Sequence, residues 1–307
     1  NDSDTLIRYA DIAMYQAKKS GNSCTIYTSD MGLEGVDTLE LENDLHQAVD
    51  HRQLRLHYQP KINLRTGQIA GCEALLRWQH PQRGMISPAK FIPIAEQTGL
   101  IVPIGRWVIE EACRQSLSWQ VAGLPLIRIA VNLSARQFRL GDLAETVKDI
   151  LDNFGVSSDL LELELTESMI MDDPERARKT LHELKNLGLH LSLDDFGTGY
   201  SSLNYLRRFP VDSLKIDQSF IHDVTTDPSG ASVVASIVDI AHNLNLDAIA
   251  EGVETKEQLE FLLANECDAV QGYLFSKPLP ASEFSALLAE EKCWFTVTDQ
   301  SPLKVRG

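Results

Sequence analysis

An α/β fold, a TIM-like (β/α)8 barrel with an antiparallel first strand, is what the sequence predicts, and three observations carry it. Eight short segments read as strands. Helical stretches separate every pair after the second strand, which is the pattern of parallel pairing. The first two strands are joined by Asn63-Leu64-Arg65-Thr66-Gly67, too short for a helix, so they form a hairpin and the first strand runs backwards. A doubly wound open sheet is the competing architecture, and the strand number favours the barrel.

Taken in order, the strand segments are Leu54–Gln59, Ile69–Arg77, Ile127–Asn132, Leu161–Leu165, Leu189–Asp194, Ser213–Asp217, Ala248–Glu251 and Ala269–Tyr273. The spacing of Leu41, Leu45, Ala48 and Val49 predicts a helix within Thr38–His51 that opens the domain. Further helices are predicted over Pro103–Trp119, Arg139–Phe154, Pro174–Leu187 and Ser232–Leu244. Ahead of this block, Asp11–Lys19 reads as a helix, Gly21 as its stop and Thr25-Ile26-Tyr27 as a short strand. That is too little to fold alone. The sequence opens on Asn1, and this stretch is read as the end of a preceding domain of a longer protein. The expected organisation is a fragment over 1–31, a linker over 32–37, the barrel over 38–291 and a tail with few core residues over 292–307.

At 307 residues, 43% hydrophobic and 23% charged, the chain has the composition of a soluble globular protein. Its longest apolar candidate, Ala231–Ala241, is short and carries Asp239, so no membrane segment is expected. The five cysteines show no CxxC spacing, which supports neither a zinc site nor a disulfide framework. A reducing, cytoplasmic location is expected, with membrane tethering open for segments outside this sequence. A net charge of −16 argues against DNA or RNA as partner, though not against a small phosphorylated substrate.

Polar residues fall at the C-terminal ends of successive strands, where a barrel places its active site. They are Glu73, Asn132, Glu164 with Glu167 beyond it, Asp194-Asp195, Lys215 with Asp217, Glu251 and Gln271. Oxygen ligands from separate strands, with no histidine or thiolate among them, suit magnesium or manganese, and calcium by competition. Clustered carboxylates repel one another and call for a partner charge. Arg77 and Lys215 are cations placed near the same mouth. Each residue also has a structural alternative. Glu162 and Glu164 alternate with leucines and fit the wet face of an amphipathic strand. Asn132 fits a cap, Lys215 and Asp217 a same-face ion pair, and Glu251 the start of a helix. All of these holding at successive strand ends is improbable. The run Asp194–Ser202 couples two carboxylates to a Gly-Thr-Gly turn, but no Gly-Lys-Ser/Thr follows, so it is not a P-loop. The eight histidines form no HxH or HxxxH pair.

Glu73-Ala74-Leu75, within Cys72–Trp78, resembles the signature of the EAL family of bacterial cyclic di-GMP phosphodiesterases. The likeness extends to Tyr58-Gln59-Pro60, Val131–Ser134, Glu164–Glu167, Asp194–Ser202, Lys215-Ile216-Asp217, Glu251–Glu254 and Gln271-Gly272-Tyr273, in family order over roughly residues 36 to 291. The resemblance implies metal ligation by Glu73, Asn132, Glu164, Asp194 and Asp195, with two Mg2+ or Mn2+ ions and inhibition by Ca2+. It implies that Glu251 and Lys215 position and activate water, that Asp217 assists, and that Gln59, Arg77 and Gln271 hold substrate or site. Glu167 would steady the Asp194–Ser202 loop, whose mobile half would link the site to a homodimer interface. Ala10–Lys18 is similar to the C-terminal end of a GGDEF (diguanylate cyclase-like) domain; the GGDEF signature itself is missing from this sequence, so the fragment cannot be a cyclase.

The expected activity is metal-dependent hydrolysis of cyclic di-GMP to linear 5'-pGpG, which lowers that second messenger. The alternatives are a non-catalytic cyclic di-GMP receptor and a two-metal phosphodiesterase for another nucleotide.

Overall fold

The eight predicted strands are all present in the computed structural model, and the sheet they build closes on itself. The structure describes residues 40–197 and 203–295, with isolated residues between 6 and 26. The chain divides into two compact units, Asn1–Leu54 with Trp78–Ile101, and Arg55–Arg77 with Val102–Gly307.

Ten strands are formed: β1 (Leu54–Asn63), β2 (Ile69–His80), β3 (Gly84–Ile86), β4 (Arg128–Asn132), β5 (Leu161–Thr166), β6 (His190–Phe196), β7 (Ser213–Ile216), β8 (Asp247–Ala250), β9 (Ala269–Val270) and β10 (Leu279–Pro280). Their order is β10-β1-β9-β8-β7-β6-β5-β4-β2-β3, and an additional β1–β2 pairing closes the ring through eight of them. From β2 through β4 to β9 every neighbour is parallel, whereas β1 meets β9 antiparallel, with Ile62 opposite Val270. The reversed first strand follows from the hairpin. Asn63 Oδ1 accepts from the amides of Arg65 and Thr66 at 2.9 and 3.0 Å, and Gly67 turns the chain at φ +68°.

Strand β5 shows how the sequence specifies the ring. Leu161, Leu163 and Leu165 are buried on one face and Glu162 and Glu164 on the other. The leucines pack outward beneath the helices, and the carboxylates point into the lumen, where β1 supplies their partner. Helices follow the strands on the outside and start on side-chain caps. Ser134 with Gln137 and Thr255 with Gln258 form capping boxes, and Asp173 and Asp227 cap helices that open on proline. An aromatic cluster of Tyr58, Trp119 and Phe284, with ring centroids 5.2–5.8 Å apart, joins β1 to the helices Ile101–Val121 and Ala281–Ala289.

In the first unit, the helix over 40–48 buries Leu41, Leu45 and Ala48. Trp78 donates to Gln53 Oε1 at 3.0 Å and meets Phe91 edge-on at 5.6 Å, while Trp78 pairs with Ile86 across the β2–β3 hairpin.

Several boundaries differ from the sequence expectation. β1 runs on through buried Pro60 to Asn63. The helix expected over Arg139–Phe154 is two, Ala135–Arg139 and Leu143–Phe154, separated at Gly141, whose φ is +87°. Short helices at Glu167–Met171 and Gln218–His222 carry too few turns to show a period. Of the early stretch, Ala13, Met14 and Ala17 are helical, and Thr25 and Ile26 form no strand. Trp294 and Phe295 are buried, the former bonded through its amide to Gly67 O at 2.8 Å, so these two residues belong to the core rather than a tail. Gly21, the 32–37 linker and residues 296–307 lie outside the described residues. Among the described residues no helix is long and apolar enough to cross a membrane.

Candidate active site

Lys215 is the centre of the polar cluster. It projects from β7 into the lumen, is 1% exposed, and its Nζ lies 2.6 Å from Glu251, 2.8 Å from Glu164, 3.1 Å from Asp194 and 3.8 Å from Glu73. Four strand ends thus converge on one ammonium group. Burial alone would lower the Lys215 pKa, but Glu164, Glu251, Glu73 and Asp194 outweigh that and raise it well above its usual value. The lysine is a permanent cation here.

Two amide side chains fix Glu73, and a third, Gln59, backs one of them. Asn132 Nδ2 donates to Glu73 Oε1 at 2.7 Å, and Gln271 Nε2 donates to Glu73 Oε2 at 2.6 Å. Gln271 also donates to Gln59 Oε1 at 3.0 Å, and Gln59 donates in turn to Ser276 O at 3.0 Å. Both oxygens of the Glu73 carboxyl are therefore oriented by β4 and by the segment after β9. Among the described residues, the buried Gln271 Oε1 has no hydrogen-bond partner.

A regular strand would send Asp194 and Asp195 to opposite faces. The pairing of β6 with β7 slips between Leu193 and Phe196, and Asp195 sits at φ +56°. Asp is among the residues that tolerate this left-handed region, and a bulge re-aims the side chains it carries. Both carboxyls consequently feel the charges of Lys215 and Glu164.

Burial raises the carboxyl pKa values of Glu73, Asp194, Asp195 and Glu251, with Lys215 opposing it in each case. Glu164 is the exception. Burial would raise it as well, but Lys215 and Lys61, each with a hydrogen bond to it, hold it at about 2. Counted with Glu162, six carboxyl groups face two buried lysines, so acids outnumber the ammonium groups, and burial favours the protonated form of Glu73, Asp194, Asp195 and Glu251.

Other sequence-predicted residues take more peripheral places. Glu167 is buried, and its Oε2 accepts from the amide of Gly197 at 3.4 Å, at the start of the loop it was expected to steady. The rest of that loop, Thr198–Ser202, lies outside the described residues. Asp217 caps the helix Gln218–His222 through Ser219 N at 3.0 Å, and its charge bears on Asp195. Arg77 is half-buried at the end of its barrel segment, where burial lowers its pKa and the charge of Glu73 opposes that. Lys61 joins the site without a sequence signal: it follows Pro60, beyond the end of the predicted strand Leu54–Gln59, and nothing local marks it as buried.

The donor set tests whether a divalent cation suits this mouth. Among the described residues no three His, Cys, Asp or Glu side chains surround a common open point; Lys215 Nζ stands among them instead. The chemistry nevertheless fits. The donors are carboxylate and amide oxygens only, the hard set that magnesium and manganese prefer, and a bound cation would favour their ionised form against burial.

Fold and site together define a (β/α)8 barrel protein with an acidic, oxygen-lined mouth built around a buried lysine. The chain belongs to the EAL domain family, which it matches over residues 42–278. It is 47% identical over 281 residues to the Pseudomonas aeruginosa protein MucR, named a bifunctional diguanylate cyclase/cyclic di-GMP phosphodiesterase, covering 91% of this chain and 41% of MucR. It is 44% identical over 285 residues to the Escherichia coli cyclic di-GMP phosphodiesterase PdeR, covering 92% of this chain and 43% of PdeR. The chain thus spans less than half the length of either relative. The solved PaMucR phosphodiesterase in complex with c-di-GMP matches with a TM-score of 0.77 and 48% identity, over 80% of this chain and 99% of that one.

Proposed function

We propose that this chain is a cyclic di-GMP phosphodiesterase that hydrolyses one phosphodiester bond of its substrate and releases linear 5'-pGpG. The convergence of Glu73, Glu164, Asp194 and Glu251 on Lys215 is the observation that carries the proposal. Its likeness to PdeR and to the c-di-GMP complex of PaMucR supports the choice of substrate.

Glu73, Asn132, Glu164, Asp194 and Asp195 would hold Mg2+ or Mn2+, as two ions. The chemistry such ions supply when bound is polarisation of the phosphoryl oxygens and acidification of the attacking water. Glu251 in its ionised form would accept the proton of that water; burial pushes its carboxyl toward the neutral form and Lys215, at 2.6 Å, opposes this and favours the ionised one. Lys215 holds Glu251 and Asp194 at a fixed separation and presents positive charge to the phosphoryl group. The new bond joins the water oxygen to phosphorus, the P–O3' bond breaks, and the 3' oxygen leaves with a proton. Gln59 and Gln271 keep Glu73 in place, and Arg77 offers a bidentate grip on a phosphate. Asp217 assists through its charge on Asp195, and Glu167 steadies the loop that opens at Gly197. A homodimer coupled to that loop, and a GGDEF-like remnant over 1–31, complete the proposal.

Incubation of the purified chain with cyclic di-GMP and Mg2+ or Mn2+, followed by chromatography, tests it. Release of 5'-pGpG is expected, and Glu73→Ala abolishes it. Tight binding without product would point to a receptor; no binding would point to another nucleotide. Activity surviving Glu73→Ala would overturn the ligand set.

A further inference from the structure

Lys61 crosses the barrel lumen from the reversed strand β1 to β5, which is not its neighbour in the sheet. Its Nζ lies 2.8 Å from Glu162 Oε1 and 2.7 Å from Glu164 Oε1, and its side chain is 5% exposed. The other oxygen of Glu164, Oε2, is held at 2.8 Å by Lys215. Each oxygen of this one carboxyl is therefore claimed by a different lysine. Glu162, two residues deeper along β5, is the counter-charge that keeps Lys61 in the lumen; His190 Nδ1 and Arg128 Nη1 approach its second oxygen at 3.6 and 3.9 Å. Among the described residues, Glu162 and Lys61 form a buried pair whose hydrogen-bonded link to the mouth runs through Glu164.

We propose that Lys61 is a positioning residue. By holding Glu164 Oε1 back in the lumen it leaves only Oε2 directed toward the mouth, so that Glu164 serves a divalent cation through one defined oxygen. The inference rests on Glu164 being a cation ligand, as proposed above. Without Lys61, Glu164 Oε1 loses its deep anchor beside the Glu162 carboxylate. Lys215 is then free to take both Glu164 oxygens, which removes the ligand from the mouth. Partners that orient a ligand from behind are typically worth 10–100-fold in metal affinity.

The experiment measures Mn2+ binding without substrate, by the free-Mn2+ EPR signal, alongside thermal melting. Four proteins are compared: wild type, Lys61→Met, the charge-neutral pair Lys61→Met/Glu162→Gln, and Glu164→Gln. Lys61→Met is expected to weaken Mn2+ binding at least tenfold. The double variant removes the buried charges together, so it is expected to recover most of the melting temperature yet remain at least fivefold weaker for Mn2+. A purely structural Lys61 would shift melting and leave Mn2+ affinity within twofold in either folded variant, which would overturn the proposal. Failure of both variants to fold would likewise assign Lys61 to the core and overturn it. If Glu164→Gln weakens Mn2+ binding but the Lys61 variants do not, only the positioning role fails. If Glu164→Gln binds Mn2+ as the wild type does, the ligand assignment falls and this inference with it.

Discussion

Gly272→Ala is expected to lower turnover roughly 100-fold and to lower the melting temperature with it, because the same clash strains the fold and displaces the site. A Cβ at Gly272 would lie 2.0 Å from the Val253 carbonyl oxygen, 2.3 Å from its nitrogen and 2.6 Å from its carbonyl carbon. These are backbone atoms, and they cannot swing aside. Val253 N donates to Gln271 O at 3.1 Å and Leu274 N to Val253 O at 3.0 Å, so the two segments are stapled where the methyl would enter. Restoring an ordinary contact of about 3.4 Å requires them to part by roughly 1.4 Å. One segment carries Glu251 and the other Gln271, which orients Glu73. A misplacement of about 1 Å among catalytic groups costs roughly 100-fold in rate, equivalent to about 2.7 kcal/mol at the transition state. The assay is cyclic di-GMP turnover under saturating Mn2+, with thermal melting in parallel. Gly123→Ala is the control. Its φ of +70° makes alanine strained, but a Cβ there meets nothing within 4 Å and no site residue is near it in the chain; it should lower melting by a few degrees and leave kcat unchanged. A Gly272→Ala protein with kcat within threefold of wild type would refute the close-approach argument.

Three further outcomes follow from the packing. Cys72, Cys113 and Cys267 are buried, and burial pushes the last two thiols up to about 12, so native protein at pH 8 should label only at Cys24 and Cys293, read by mass spectrometry after alkylation. Phe284→Ala removes a fully buried ring packed at a tilt against both Tyr58 and Trp119, a loss of about 3–5 kcal/mol that should lower the melting temperature by roughly 10 °C in calorimetry. His190 is lowered below its usual 6.5 by burial, with Arg128 and Lys185 adding to this against Glu162 and Asp212. The unfolded chain therefore takes up that proton first. Stability should be full above about pH 6.5 and fall on acidification, and His190→Gln should flatten the melting profile between pH 7.5 and 5.5.

Much of this was legible in the sequence because the barrel repeats one rule. A strand followed by a helix, with a polar residue at the strand's end, recurs at Asn132, Glu164, Asp194 and Glu251, and the structure gathers those residues around Lys215. The hairpin at Asn63–Gly67 likewise fixed the direction of β1 from turn chemistry alone. Less legible was anything that depended on closure. Glu162 and Glu164 fit a solvent-facing edge in a linear reading, because alternation identifies a polar face but not whether it looks onto water or into a lumen. Lys61, their partner, is 101 and 103 residues away in the chain. Asp194 and Asp195 are adjacent in the chain, and it is the bulge and the left-handed Asp195 that let both carboxyls meet the charges of one mouth. Trp294 and Phe295 escaped notice because two aromatic residues after the last helix have no period; they become core only where Gly67 O receives the Trp294 amide.

The most direct test of the central proposal is hydrolysis of cyclic di-GMP in 18O-water with Mn2+, read by mass spectrometry of the product. Water attack at phosphorus with departure of the 3' oxygen predicts linear pGpG carrying one 18O on its 5' phosphate, and no such product from Glu251→Gln. Cyclic di-GMP recovered bound and intact from the wild-type protein, with no labelled pGpG, would contradict the account.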